Sequence, residues 1–371
     1  MNSIKSKPEN FQYFETLKEH LQDNPQRIIG KKIVLPREIQ IDLPGNHKQA
    51  CNLKCNFCFG ARLEKKLDFF EPKLLKLVGE LDGKVPYFLI SGLYTEPLLN
   101  PYLLSLLKRI KQTGANFGLK TNGSLLKSLE EANGFISELC RISEKNDFVG
   151  ISLDAGKKSS YLKIKKKDCF KEVMEGIRLL SKSRKNDCPR IYVTYLLNDL
   201  NSSKKEIQAA LKELKKAKID YLKFSIPVKE YNSKFDQKKQ KAAIMAMEKK
   251  AAKVLEKIIK ENQVKPKMFY DSPKPAHSVK PDFEQCIAGY YHVILGSDGY
   301  FYKCCGTASE TFKRLRLGKI KGLKEFKKVI EKAQLGKNWP EKCIKENARC
   351  DRMSAEINSV WEKIGKGEKL D

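Results

Sequence analysis

The chain has 371 residues, 41% of them hydrophobic, with 73 Lys and Arg against 45 Asp and Glu and 11 cysteines. That length fits one large unit with a smaller one, the apolar share excludes a disordered polymer, and no run of about eighteen apolar residues is present to cross a bilayer. The net charge of +28 admits acidic partners. Lys far outnumbers Arg, and there is no zinc finger, arginine-rich arm or RNA-binding signature, so nucleic acid is an admissible partner but not the favoured one. The first residues lack a signal-type apolar run, and the expectation is a cytoplasmic protein without membrane contact. In a reducing compartment the cysteines point to metal binding or catalysis rather than to disulfides.

Residues 1–36 form a lead segment whose 13–23 stretch has the spacing of a short amphipathic helix. From residue 37 to 265 strand and helix patterns alternate. Strands are expected at Arg37–Leu43, Val85–Ile90, Ala115–Lys120, Asp147–Leu153, Arg190–Leu197 and Tyr221–Ile226. Helices are expected at Pro101–Gln112, Lys171–Ser183, Ser203–Lys216 and Gln237–Asn262. Strands separated by helices imply parallel pairing with right-handed crossovers. Six such steps are too few for a closed eight-stranded barrel, so the expected fold is α/β, a partial (β/α)6 barrel. Residues 266–371 read as a small C-terminal domain. A β-hairpin is expected there, His292–Leu295 and Tyr300–Lys303 around a Ser-Asp-Gly turn, followed by a helix near Lys324–Ala333.

Just after the first strand stands Cys51-Asn-Leu-Lys-Cys55-Asn-Phe-Cys58. Three thiolates on one short loop can hold three corners of a metal centre and leave a fourth position open for chemistry. A zinc knuckle completed by His47 is the structural alternative. The run resembles the cysteine signature of the radical S-adenosylmethionine (radical SAM) superfamily, with Phe57 at its aromatic position. The resemblance implies a SAM-binding 4Fe-4S cluster on Cys51, Cys55 and Cys58, and reductive cleavage of S-adenosyl-L-methionine to a 5′-deoxyadenosyl radical that abstracts a substrate hydrogen atom.

Four further segments are read against that resemblance. Ser91-Gly-Leu-Tyr-Thr-Glu96-Pro97 is similar to the family's G-G-E-P turn, with Tyr94 and Thr95 in place of two glycines, and implies that Glu96 receives the cofactor's ammonium group. Taken alone, Glu96-Pro97 also suits a plain helix N-terminus. Lys120-Thr-Asn122-Gly resembles the family's T-N-G turn. Gly150-Ile-Ser152-Leu-Asp154 resembles the segment near the ribose, with Ser152 as the contact and Asp154 orienting substrate or holding a loop. Ser225-Ile226-Pro227 would pack near the adenine.

In the C-terminal region Cys286 is followed by twelve residues, Gly299, four residues and Cys304, with Cys343 and Cys350 beyond. This resembles the SPASM and twitch auxiliary-cluster domains. A full SPASM domain carries more cysteines than the five here, so the resemblance implies the shorter twitch type: one auxiliary 4Fe-4S cluster on Cys286, Cys304, Cys343 and Cys350. Cys305 is the alternative to Cys304, and structural zinc on the same thiolates is the alternative metal. Cys140, Cys169 and Cys188 lack mutual spacing and read as incidental thiols. His47 reads as a loop residue and His292 as a packed one.

The resulting expectation is a radical SAM enzyme of oxidoreductase type, acting on a small carbohydrate or aminocyclitol-type substrate. A peptide- or protein-modifying maturase is the second possibility. A non-catalytic zinc- and RNA-binding protein is the alternative from another class. The Lys-rich surface suits an acidic electron donor, flavodoxin or ferredoxin.

Overall fold

The computed structural model describes residues 32–58, 67–225, 267–270 and most of 283–362. The helix expected at 13–23, the long helix at 237–262, the boundary near 265 and the segment Ile226-Pro227 lie outside the described residues.

A single ten-stranded sheet organises the described chain. Strands β1 (Glu38–Asp42), β2 (Tyr87–Ser91), β3 (Asn116–Thr121), β4 (Phe148–Ser152), β5 (Arg190–Leu196) and β6 (Tyr221–Ser225) pair in sequence order, all parallel. These are the six expected strands, and the α/β partial-barrel reading holds. The sheet is longer than the sequence suggested. Strand β7 (Lys267–Tyr270) adds in parallel to β6 at one edge. At the other edge β8 (His292–Leu295), the first arm of the expected hairpin, pairs in parallel with β1. Strands β9 (Tyr300–Tyr302) and β10 (Gly318–Lys319) follow it antiparallel. The C-terminal hairpin therefore continues the barrel sheet.

Alternation along the strands sorts the two faces. Ile39, Ile41, Phe88, Ile90, Phe117, Leu119, Val149, Ile151, Ile191, Val193, Leu222 and Phe224 are all buried and lie in one core under the helices. Each such side chain contributes about 1.5–3 kcal/mol by leaving water. The other face carries Gln40, Asp42, Ser91, Lys120, Gly150, Ser152, Tyr192, Thr194 and Lys223, an unusually polar set for the inside of a sheet.

Helix ends are placed by local chemistry. Ser203 caps the helix Lys204–Lys216 by accepting from the Glu206 N–H, a serine-to-glutamate capping pattern three residues apart. The Glu206 carboxylate also accepts from the N–H groups of Gly156 (2.8 Å) and Lys157 (3.1 Å), which ties the loop after β4 to this helix. Gly156 is required there, because a Cβ would stand 2.0 Å from the Glu206 carbonyl oxygen. The helix Lys158–Lys165 was not apparent from sequence: its run KSSYLKIK buries Tyr161, Ile164 and Lys165 but has no extended apolar stripe. No helix among the described residues is long and apolar enough to cross a membrane.

Candidate radical centre

The Cys51–Cys58 loop is pinned on three sides above the ends of the first strands. From the helix Lys158–Lys165, the Lys165 carbonyl accepts from Lys54 N–H (3.2 Å) and the Ile164 carbonyl from Asn56 N–H (2.9 Å). From the β2 turn, Glu96 N–H donates to the Ala50 carbonyl (2.8 Å). From the β3 turn, the Asn122 amide donates to Asn52 Oδ1 (3.0 Å) and lies 3.9 Å from Cys51 Sγ. Asn52 in turn donates to Ser124 Oγ (2.8 Å). Leu53 anchors the loop in the core. The chain closes on itself once, Cys58 N–H to the Cys55 carbonyl (3.1 Å).

Burial pushes the Cys55 thiol up to about 11, against the attraction of Lys165, and the neighbouring Cys58 and Cys51 add to the rise. The three thiols thus share one electrostatic neighbourhood. Among the described residues no group of three or more His, Cys, Asp or Glu is tight enough to hold a single metal ion. The ring of His47 lies 4.0 Å from that of Phe69.

Glu96 is buried, and its two oxygens serve three donors. Oε1 accepts from Leu98 N–H (3.0 Å) and Thr121 Oγ1 (2.5 Å), and Oε2 accepts from Asn122 N–H (2.8 Å). It caps the short helix Pro97–Leu99 and clamps the β3 turn in one action. Burial raises its carboxyl, opposed by those hydrogen bonds. A carboxylate has about four acceptor positions, so one remains for a further donor.

Ser152 ends β4 and donates to Asp154 Oδ2 (3.1 Å). Asp154, fully buried and at φ +57°, accepts the Leu196 N–H on Oδ1 (2.7 Å) and the Lys165 ammonium on Oδ2 (2.5 Å). Lys165 is a residue the sequence reading missed. It is 2% exposed, its ammonium lies 5.4 Å from the centre of the Phe57 ring, and it acts on Cys55, Cys51 and Glu96. Burial works against its charge, but Asp154 and Cys55 hold the ammonium above its ordinary range. One buried cation therefore stands among the thiol loop, the β2 turn and the β4 loop. Ser225 ends β6, its carbonyl accepting from Leu197 N–H (2.7 Å).

The C-terminal cysteines form a second group. Cys286, Cys304 and Cys343 all act on buried Lys303, whose ammonium donates to the Cys286 carbonyl (2.7 Å) and lies 5.0 Å from the Trp339 ring centre. Burial and Cys286 push the Cys343 thiol up to about 12. Ala348 N–H returns to the Cys343 carbonyl (2.8 Å), two residues before the buried Cys350. Cys305 is directed elsewhere: it acts on Tyr94 and Lys120 of the barrel. Cys140 and Cys169 are buried, Cys140 Sγ lying 3.9 Å from the Leu180 carbonyl and Cys169 Sγ 3.5 Å from the Tyr161 hydroxyl. His292 is packed, its Nε2 3.3 Å from Ser354 Oγ. A groove of about 1380 Å³ opens at the other end of the strands, around Lys145, Cys188, Arg190 and Asp220, away from both thiol groups.

Residues 46–207 match the family model described as the radical SAM superfamily. A curated relative, the S-adenosylmethionine-dependent nucleotide dehydratase of Lacinutrix mariniflava, is 28% identical over 124 residues, 31% of this chain and 24% of that protein. The match thus spans about a quarter of that relative's length. Among solved structures, Streptococcus suis SuiB bound to S-adenosylmethionine is 16% identical with a TM-score of 0.55, covering 82% of this chain and 68% of SuiB. Native anSMEcpe with bound AdoMet and Cp18Cys peptide is 19% identical with a TM-score of 0.52, covering 86% and 85%. The family match covers residues 46–207, and the solved structures share the fold of the chain.

Proposed function

We propose that this chain is a radical SAM enzyme in which Cys51, Cys55 and Cys58 hold a 4Fe-4S cluster and Glu96, Asn122, Ser152 and Phe57 surround S-adenosylmethionine. The observation that carries the reading is the shared neighbourhood of three thiols with Glu96, Asn122 and Lys165 at the ends of adjacent parallel strands. The donor set fits the group: three soft ligands on a pinned loop, a buried carboxylate with one acceptor position left, and a buried cation to offset thiolate charge. When bound, the cluster and S-adenosylmethionine supply a 5′-deoxyadenosyl radical that abstracts a hydrogen atom from substrate. The protein's own work is to hold the loop, fix the β3 turn through Glu96, and keep Lys165 charged through Asp154. Anaerobically reconstituted protein given S-adenosylmethionine and dithionite is expected to release 5′-deoxyadenosine. Release equal to a protein-free control would contradict the reading.

An auxiliary 4Fe-4S cluster on Cys286, Cys304, Cys343 and Cys350 belongs to the same proposal, its support being the convergence of the first three on Lys303. The opposed direction of Cys305 favours Cys304 as the ligand. Cys304→Ala is expected to remove about four irons per chain and Cys305→Ala none, counted by colorimetric iron assay. The reverse pattern would exchange their roles. Such a cluster would accept the second electron of a substrate oxidation, and the proposed reaction is oxidation of a small carbohydrate or aminocyclitol-type molecule. The peptides bound by SuiB and anSMEcpe belong to those proteins and leave a maturase as the second reading.

The cytoplasmic electron donor is proposed to be an acidic flavodoxin or ferredoxin docking on the +28 surface. Turnover driven by flavodoxin is expected to slow several-fold between about 0.05 and 0.5 M salt, where the Debye length shrinks to a few ångströms. A salt-independent rate would remove this partner.

A further inference from the structure

The helix Lys158–Lys165 and its cap Lys166 divide between two faces. Ser160, Tyr161, Ile164 and Lys165 are buried. Ser159, Leu162, Lys163 and Lys166 follow one another at helical spacing of three and four, and all are exposed. The stretch 157–168 holds six lysines and one acid, Asp168, which Lys158 takes at 2.9 Å. Glu172 on the next helix also acts on Lys158. Lys163, Lys166 and Lys167 are exposed and make no ion pair among the described residues. A single exposed leucine is ordinary on a surface. Leu162, 44% exposed, instead stands inside a row of lysines. An apolar centre with a charged rim is the anatomy of a protein-docking face.

This face is joined to the thiol loop through the backbone. A helix leaves its last carbonyls without internal partners. Here those of Ile164 and Lys165 accept from Asn56 N–H (2.9 Å) and Lys54 N–H (3.2 Å). Lys54 and Asn56 flank Cys55, and both are exposed. The outer side of the loop and the end of the helix therefore form one surface. Lys54, Lys163, Lys166 and Lys167 lie on it, within two residues of these bonds. Positive charge is spread along the whole chain, but this is where the described surface brings unpaired lysines and an exposed leucine against the three thiols.

We infer that this surface, Leu162 ringed by Lys54, Lys163, Lys166 and Lys167, is where the acidic electron-carrier protein docks. The inference rests on the radical SAM reading for the electron's destination and adds the place of entry. The exchange is one electron, lost by the carrier's reduced flavin and gained by the iron–sulfur cluster, with no proton or group transferred. Electron transfer weakens steeply with distance, so a carrier steered by charge must also settle beside the thiols, and this face meets both demands. Nucleic acid would use the lysines but would gain little from Leu162.

The test compares charge reversal at two ends of the molecule. Lys163→Glu with Lys167→Glu alters the proposed face. Lys145→Glu with Lys185→Glu makes the same change in charge around the groove at the opposite end of the strands. Binding of flavodoxin to the full-length reconstituted protein is measured by isothermal titration at low salt, and 5′-deoxyadenosine release is driven by reduced flavodoxin or by dithionite. The first pair is expected to weaken flavodoxin binding and flavodoxin-driven release at least about tenfold while leaving dithionite-driven release at the wild-type rate. The second pair should leave all three near wild type. Leu162→Ser, which removes no charge, should weaken flavodoxin binding several-fold. Equal losses in both pairs would mean general attraction to a basic protein and would overturn the face, as would no binding of flavodoxin by the wild type. Displacement of flavodoxin by an equal concentration of a short single-stranded RNA would assign these lysines to nucleic acid and overturn it too. Face-dependent binding without dithionite-driven release would uphold the docking surface and sink the radical reading. Normal dithionite-driven release with binding indifferent to Lys163 and Lys167 would do the reverse.

Discussion

Glu96→Gln is expected to lower stability by about 2–4 kcal/mol and to loosen the thiol loop with it. The carboxylate accepts from Leu98 N–H, Thr121 Oγ1 and Asn122 N–H, all buried. Glutamine keeps one oxygen and turns the other position into an N–H facing donors, so at least one buried donor is left without a partner. In a chain of this size that loss corresponds to a fall in Tm of roughly 3–5 °C. The Asn122 turn also holds Asn52 and lies against Cys51, so iron retention after gel filtration should fall as well. If Glu96 in addition receives the ammonium of S-adenosylmethionine, affinity for that cofactor should drop at least tenfold at equal iron loading. Unchanged melting and unchanged iron would show that the clamp contributes nothing.

The second large effect is expected at Lys165. Removing one member of a buried ion pair leaves the other uncompensated, at a cost of about 3–5 kcal/mol. Both Lys165 and Asp154 are almost wholly buried, with 2.5 Å between ammonium and carboxylate. Lys165→Met should therefore destabilise the fold by about that amount, read from urea unfolding. Lys165→Arg should lose less. The double variant Lys165→Met with Asp154→Asn should recover part of the loss, because Asn keeps an acceptor for Leu196 N–H without a charge. Additive single effects would mean that the pair is not energetically coupled. The same cation faces Cys55 and Cys51, so the single variant should also load iron poorly even where it is folded.

The barrel was legible because its strands state themselves locally. Ile39 and Ile41, and Ile191 and Val193, alternate with more polar partners, Val85–Ile90 reads as a largely apolar run, and Gly114 or the Ser203–Glu206 cap marks where helices stop and start. The pairing of β8 with β1 was not legible. It joins Glu38–Ile41 to His292–Leu295, and nothing in either run names a partner some 250 positions away. Strand β7 is four residues long in a Lys- and Pro-rich stretch, too short for a period to emerge. Lys165 hides for a different reason. In KIKKKD it is one lysine among several and reads as solvated surface; only the left-handed turn at Asp154 and the fold of the thiol loop turn it inward. At Glu96 the sequence offered two roles, a helix start or a cofactor contact. The structure explains why they were hard to separate, since the capping carboxylate sits beside the thiol loop with one acceptor position left.

The most direct measurement compares anaerobically reconstituted wild type with a variant in which Cys51, Cys55 and Cys58 are all Ala, by iron and sulfide content and by 5′-deoxyadenosine formed after reduction. The account predicts about eight irons in the wild type and about four in the variant, with 5′-deoxyadenosine formation abolished. Zinc in place of iron, with no cleavage of S-adenosylmethionine by the wild type, would contradict it and turn attention to a zinc protein that binds RNA through its basic surface.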